Sequence, residues 1–226
     1  MADQQDMARR NRAAALDLIR RHGGMSRSQL AQRLELSAAA MTKIANELMD
    51  QGLIAQEPVL DLSPSQPRAM LRLNADWGYV VTLSLTYNLA VGVVDFAGKL
   101  THSERLAGND CDHGLYRDRF DDLVLDAVSR MLDRLGGQRT LGVGVLSYGC
   151  VDKSGLIRFN GSLPRPNVRM SDVLAPVTRL PVSVDEEFRL LLMAHLWSSD
   201  HPAQNVVVMS AKMFGAGGGQ AMLASG

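Results

Sequence analysis

Three groups of residues in this chain have types and spacings that could do chemistry. Between Arg9 and Lys43 stand eight basic residues (Arg9, Arg10, Arg12, Arg20, Arg21, Arg27, Arg33, Lys43) against two acidic ones, Asp17 and Glu35. This local excess sits in a chain whose 24 Lys+Arg and 24 Asp+Glu cancel. Such an excess suits the neutralisation of nucleic-acid phosphates. Lys43 and Asn46 are the expected base-edge or phosphate contacts, and Thr42 lies beside them. Ser37 is a phosphate contact through a helix N-terminus, and Arg27 and Arg68 are backbone contacts. The second group is Asp185-Glu186-Glu187, a run of carboxylates of which a glutamate could act as a base. The third, five histidines and two cysteines (Cys111, Cys150), is scattered, without the spacing of a zinc site or a disulfide framework. No metal and no cofactor are expected.

The basic group needs a scaffold, and the pattern around it supplies one. Ala14, Leu16, Leu18 and Ile19 recur at helical spacing between Met7 and His22, and Gly23-Gly24 stops that helix. Ser26 with Gln29 forms a capping-box pattern that opens a second helix with Leu30, Ala31 and Leu34 inward. Glu35-Leu36-Ser37 is a short turn with Ser37 as N-cap. The third helix buries Met41, Ile44, Ala45, Leu48 and Met49 and leaves Ala39, Thr42, Lys43 and Asn46 outward. It ends at Gly52. Leu53–Ala55 and Met70–Leu73 read as two short strands around the loop 58–68. A tight two-helix turn with a small, polar outer face fits a major groove, and the strands complete a winged helix-turn-helix over residues 1–75.

From Asp76 the period changes to that of strands. Tyr79–Leu85 and Leu89–Val94 are followed by a turn at Asp95–Lys99 and the start of another strand. A long amphipathic helix carries Leu115, Phe120, Leu123, Val124, Ala127, Met131 and Leu135, and the strand Leu141–Leu146 and the turn Asp152–Gly155 come next. A strand at Val182–Val184, a helix Glu186–Trp197 and a strand Asn205–Ser210 close the pattern. This is an α/β body over residues 76–226. At 226 residues, 46% apolar and 21% charged, the chain is of the soluble globular class. It contains no apolar run of membrane-spanning length, and its polar N-terminus is unlike a signal peptide, so a cytoplasmic location is expected.

The stretch SRSQLAQRLELSAAAMTKIANELMDQGLI, followed by a proline-bearing wing and LRLNADWGYVV, resembles the N-terminal module of the ROK family of sugar-responsive repressors and sugar kinases. The resemblance implies an actin-like, ribonuclease-H-like body, a double-stranded DNA partner and a carbohydrate-linked regulatory function, with homodimerisation left open. It also shows departures. The kinase branch has an acidic-x-Gly-x-Thr-Lys phosphate loop, and those four places hold Leu83, Leu85, Tyr87 and Asn88. The family's Glu-Asn-Asp segment reads Asp185-Glu186-Glu187, so Glu187 stands at the catalytic aspartate and Glu186 at a sugar-binding amide. Asn160, Glu186 and Glu187 thus mark a degenerate effector site, crowded by Phe188 and Leu190. Phe214 to Gln220 looks like the glycine-rich turn that opens the family's second lobe, and the body is expected to be incomplete beyond it. The resulting expectation is a sequence-specific DNA-binding transcriptional regulator, a repressor by the resemblance, that is not an enzyme and holds no sugar tightly. A sugar kinase, or an interaction module only, are the alternatives.

Overall fold

The computed structural model describes residues 2–58, 69–86, 89–107, 118–198, 206–214 and 218–225, with side chains described within 5–206. Arg68, Tyr87, Asn88, Cys111, His113, Leu115, His201 and most of the loop 58–68 lie outside the described residues. The chain divides into two compact units, Met1–Trp77 with Phe96–Gly98, and Gly78–Asp95 with Lys99–Gly226.

The first unit begins with α1, Ala2–His22. It starts five residues before the apolar stripe because Ala, Gln and Met are strong helix formers that need no buried partner. Gly23 and Gly24 then take φ values of 64° and 139°, which glycine adopts at least cost, and end the helix. α2, Arg27–Arg33, is opened by the expected capping box: the Ser26 hydroxyl accepts from Gln29 N, and the Gln29 side chain accepts from Ser26 N. Glu35 turns the chain at φ 54°. Ser37, whose hydroxyl accepts from Ala40 N, then caps α3, Ala38–Asp50. β1, Ile54–Pro58, pairs antiparallel with β2, Ala69–Leu73. Pro58 closes the ladder against Ala69, a strand-end position where its missing N–H matters little. A bridge from Met25 to Leu71 fastens this ribbon to the start of α2. Ala15, Ile19, Leu30, Met41, Ala45, Leu48 and Leu71 form the buried centre.

The second unit is built on a five-stranded sheet in the order β5-β4-β3-β6-β9. β3 (Tyr79–Leu85), β4 (Leu89–Asp95) and β5 (Leu100–Ala107) form an antiparallel meander. β6 (Thr140–Ser147) and β9 (Val182–Glu186) add on in parallel. Joining β3 to a parallel β6 requires a crossover. It contains α4, Phe120–Leu135, which buries Phe120, Val124, Val128 and Met131 in one cluster with Val81, Leu83, Val91 and Val145 of the sheet. The sequence pattern does not show the hairpin of β7 (Cys150–Val151) and β8 (Ile157–Phe159), or α5, Met170–Leu174, which are shorter than the window over which periodicity is measurable. Nor does it show the strand Gly218–Ser225, which begins inside the stretch expected as a glycine-rich turn. α6, Glu187–Ser198, follows β9, and β10 (Val207–Phe214) pairs with β11 (Gly218–Ser225) across the glycine-rich segment.

Candidate nucleic-acid interface and effector edge

In the first unit the buried side of α3 consists of Met41, Ile44, Ala45 and Leu48. Helical geometry therefore turns Ala39, Thr42, Lys43 and Asn46 outward, and all four are exposed. Thr42 returns its hydroxyl to the helix, donating to Ala38 O at 2.8 Å, so its methyl group is the part presented. Ser37 is exposed and its oxygen accepts from Ala40 N at 3.2 Å, which leaves the first-turn amides of α3 at the same surface. This end of the helix carries positive partial charge and suits a phosphate oxygen.

Several of the basic residues are engaged within the unit. Arg12 pairs with Glu47 of α3 at 2.9 Å, which ties α1 to the flank of α3. Arg20 and Arg21 pair with Asp17 at 2.8 and 2.7 Å. Burial acts to raise the Asp17 pKa, but the hydrogen bond from Arg20 and the charges of Arg21 and Arg20 together hold that carboxyl below its ordinary range. Arg20 and Arg21 are thus directed at a carboxylate of their own helix. Arg27 is half-buried, with its guanidinium against Gln56 and Met49. No local sequence signal marks Arg12–Glu47 or Arg27–Gln56, because the partners are 35 and 29 positions apart.

In the second unit the register aligns Leu85, Ser147 and Glu186 at the carboxyl ends of three parallel strands. That is the edge where α/β sheets receive ligands. Asn160 lies here, 4% exposed. Its amide nitrogen donates to Leu85 O at 2.8 Å and Ser147 Oγ at 3.0 Å, and its oxygen accepts from Ser162 N at 2.8 Å. Both amide protons are therefore spent on the protein. Glu186 ends β9 and Glu187 begins α6, both half-buried, while Phe188 turns into the interior at 6% exposure. Leu83 and Leu85, at two of the phosphate-loop places, are core residues. Gly149, at φ 108°, lies so close to β8 that a Cβ would meet Phe159 O at 2.3 Å. Among the described residues no cluster of His, Cys, Asp or Glu could hold a metal ion, and no helix is long and apolar enough to cross a membrane.

Residues 6–69 match the MarR family. The chain is 32% identical over 92 residues to the uncharacterized protein y4fQ of Sinorhizobium fredii, covering 40% of this chain and 23% of that protein. It is 22% identical over 192 residues to the xylose repressor of Caldicellulosiruptor bescii, covering 83% of this chain and 47% of that one. The crystal structure of a ROK family transcriptional regulator, a homolog of the E. coli MLC protein, superposes with a TM-score of 0.63 at 21% identity over 90% of this chain and 52% of that chain. The chain thus spans about half the length, or less, of these relatives. A MarR-type winged helix-turn-helix leads an α/β body, and together they make the fold of a ROK family transcriptional regulator.

Proposed function

We propose that this chain is a sequence-specific DNA-binding transcriptional repressor acting on carbohydrate-metabolism genes. The observation that carries the reading is α3, whose outward side is limited to small or polar groups while its inward side anchors the unit's core. In this reading Asn46 reads a base edge, Lys43 meets phosphate or base, Thr42 offers its methyl group, and Ser37 brings the helix N-terminus to a phosphate. Residues 1–75 are the DNA-binding domain and residues 76–226 the effector-type body, at work in the cytoplasm where the DNA is. The carbohydrate link is supported by the xylose repressor it resembles.

The same reading makes the chain no sugar kinase. Leucines at two phosphate-loop places are packed in the core, where they let no phosphate approach the backbone. Glu187 stands where a catalytic aspartate would be, and its extra methylene displaces the carboxylate by roughly 1 Å, an error worth about a hundredfold in rate. The test is a gel shift with duplex from upstream of the chain's own gene, beside a coupled phosphotransfer assay over a sugar panel. Absence of binding at about 50 mM salt, where electrostatic attraction is strong, would overturn the DNA reading, and phosphotransfer would overturn the second claim.

A further inference from the structure

Arg27 is the first residue of α2, directly behind the Ser26 cap. Its Nη1 donates to Gln56 Oε1 on β1, and its Nη2 approaches Met49 Sδ on α3 at 3.9 Å. Its Nε is buried and has no hydrogen-bond partner among the described residues. One guanidinium thus touches the outer strand of the wing and the flank of the recognition helix from a backbone position locked by a capping box.

The wing needs such a brace. Of the five residues of β1 only Ile54 is buried, and the ribbon has only two strands. The ribbon is fastened to the core mainly through β2, by buried Leu71 and its bridge to Met25, so β1 has little apolar cover of its own. Two successive residues of β1 beyond Ile54 are held by arginines: Gln56 by Arg27, and Glu57 by Arg72 at 2.9 Å, with Arg72 also donating to Gly23 O. Successive strand residues point to opposite sides, so the two arginines grip β1 from both faces. A planar guanidinium suits this task better than an ammonium, because its fork fixes direction as well as distance.

We propose that Arg27 is a positioning residue that sets the angle of the wing against the recognition helix, rather than a contact to the DNA backbone. Both terminal nitrogens of Arg27 are already directed at protein partners, Nη1 at Gln56 and Nη2 at Met49. This inference rests on the DNA-binding reading above.

The test compares the full-length chain with Arg27→Met, Gln56→Met and the double variant, using a duplex that the wild type selects from a random pool. Each single substitution is expected to weaken binding about three- to tenfold, the net worth of one ordinary hydrogen bond, because the lost bond acts on the duplex only through the position of the wing. The double variant should be no worse than the weaker single, and the salt dependence of binding should stay at the wild-type slope in all three. Without DNA, amide exchange in β1 and β2 should quicken in each variant, while α1 and α3 keep wild-type protection and so report an intact fold. A silent Gln56→Met, or an Arg27→Met that lowers the salt slope by about 0.9, the signature of one lost phosphate contact, overturns the proposal. If the wild type selects no duplex the DNA reading falls, and the exchange data still decide whether Arg27 holds the wing.

Discussion

The indole Nε1 of Trp77 donates to the backbone carbonyl of Gln51 at 2.9 Å. Gln51 is the C-cap of α3, so this bond satisfies one of the carbonyls that a helix end leaves without an internal partner. Asn74 does the same for the next residue, donating from Nδ2 to Gly52 O at 2.9 Å, and Asn74 N donates to Leu53 O. The recognition helix is therefore capped at its start by its own Ser37 and at its end by side chains more than twenty residues downstream.

Trp77→Phe keeps a ring and removes the donor. It should cost about 1 kcal/mol of local stability. Amide exchange at Leu48 to Leu53 should quicken by roughly fivefold to tenfold, as that loss requires, while the amides of β3 are unaffected. Unchanged exchange at those residues would show that the bond contributes nothing to holding the helix end.

Asn46 and Lys43 are exposed neighbours on α3 with different chemistry. Asn46→Ala should cost about 1 to 3 kcal/mol on the preferred site and little on random duplex, because an amide reading a base edge carries sequence information. Lys43→Ala should weaken both duplexes alike and reduce the salt slope by about 0.9 if its ammonium meets a phosphate. Equal losses on both duplexes for Asn46→Ala would remove it from base reading.

Asp152 opens the turn between β7 and β8. Its Oδ1 accepts from Ser154 Oγ at 2.7 Å, Ser154 N at 2.8 Å and Leu156 N at 3.2 Å. These bonds, the Ser154 hydroxyl first, with Arg158 nearby, lower the Asp152 pKa to about 2. Since the folded value lies below the unfolded one, the turn gains from the carboxylate above pH 4 or so and loses that gain as pH falls through about 2. A carboxyl-carbon titration should place the midpoint near the lower figure. Ser154→Ala should move it upward, and a midpoint unmoved by that substitution would refute the attribution.

The effector edge should be a poor sugar site. Asn160 spends both amide protons on Leu85 O and Ser147 Oγ, and Glu186 and Glu187 place two carboxylates where a phosphorylated sugar would bring more negative charge. Calorimetry with glucose, N-acetylglucosamine, xylose and their phosphates should give no dissociation constant below about 1 mM, the level of a few weak hydrogen bonds. Micromolar binding that also alters the gel shift would reverse this conclusion and make DNA release ligand-controlled.

The elements of the winged helix were legible in the sequence, although the fully buried residue of α1 beside Ile19 is Ala15 and not Ala14, Leu16 or Leu18, which are partly exposed. Its signals are local: the Ser26/Gln29 box, the Ser37 cap and the helical spacing of Met41, Ile44, Ala45 and Leu48 each act within one or two turns, so neighbours in the chain suffice to specify them. The strands of the body were legible for the same reason, since alternation along Tyr79–Leu85 appears in burial as in sequence. The β7–β8 hairpin and α5 were not, because two to five residues carry too little pattern. Tertiary structure alone decided which charges are spent inside the protein. Arg12 finds Glu47, Arg27 finds Gln56, and Asn160 finds Leu85 across 75 positions. Charge and amide groups act through space over a few ångströms, and only the folded backbone determines which distant residues come within that range.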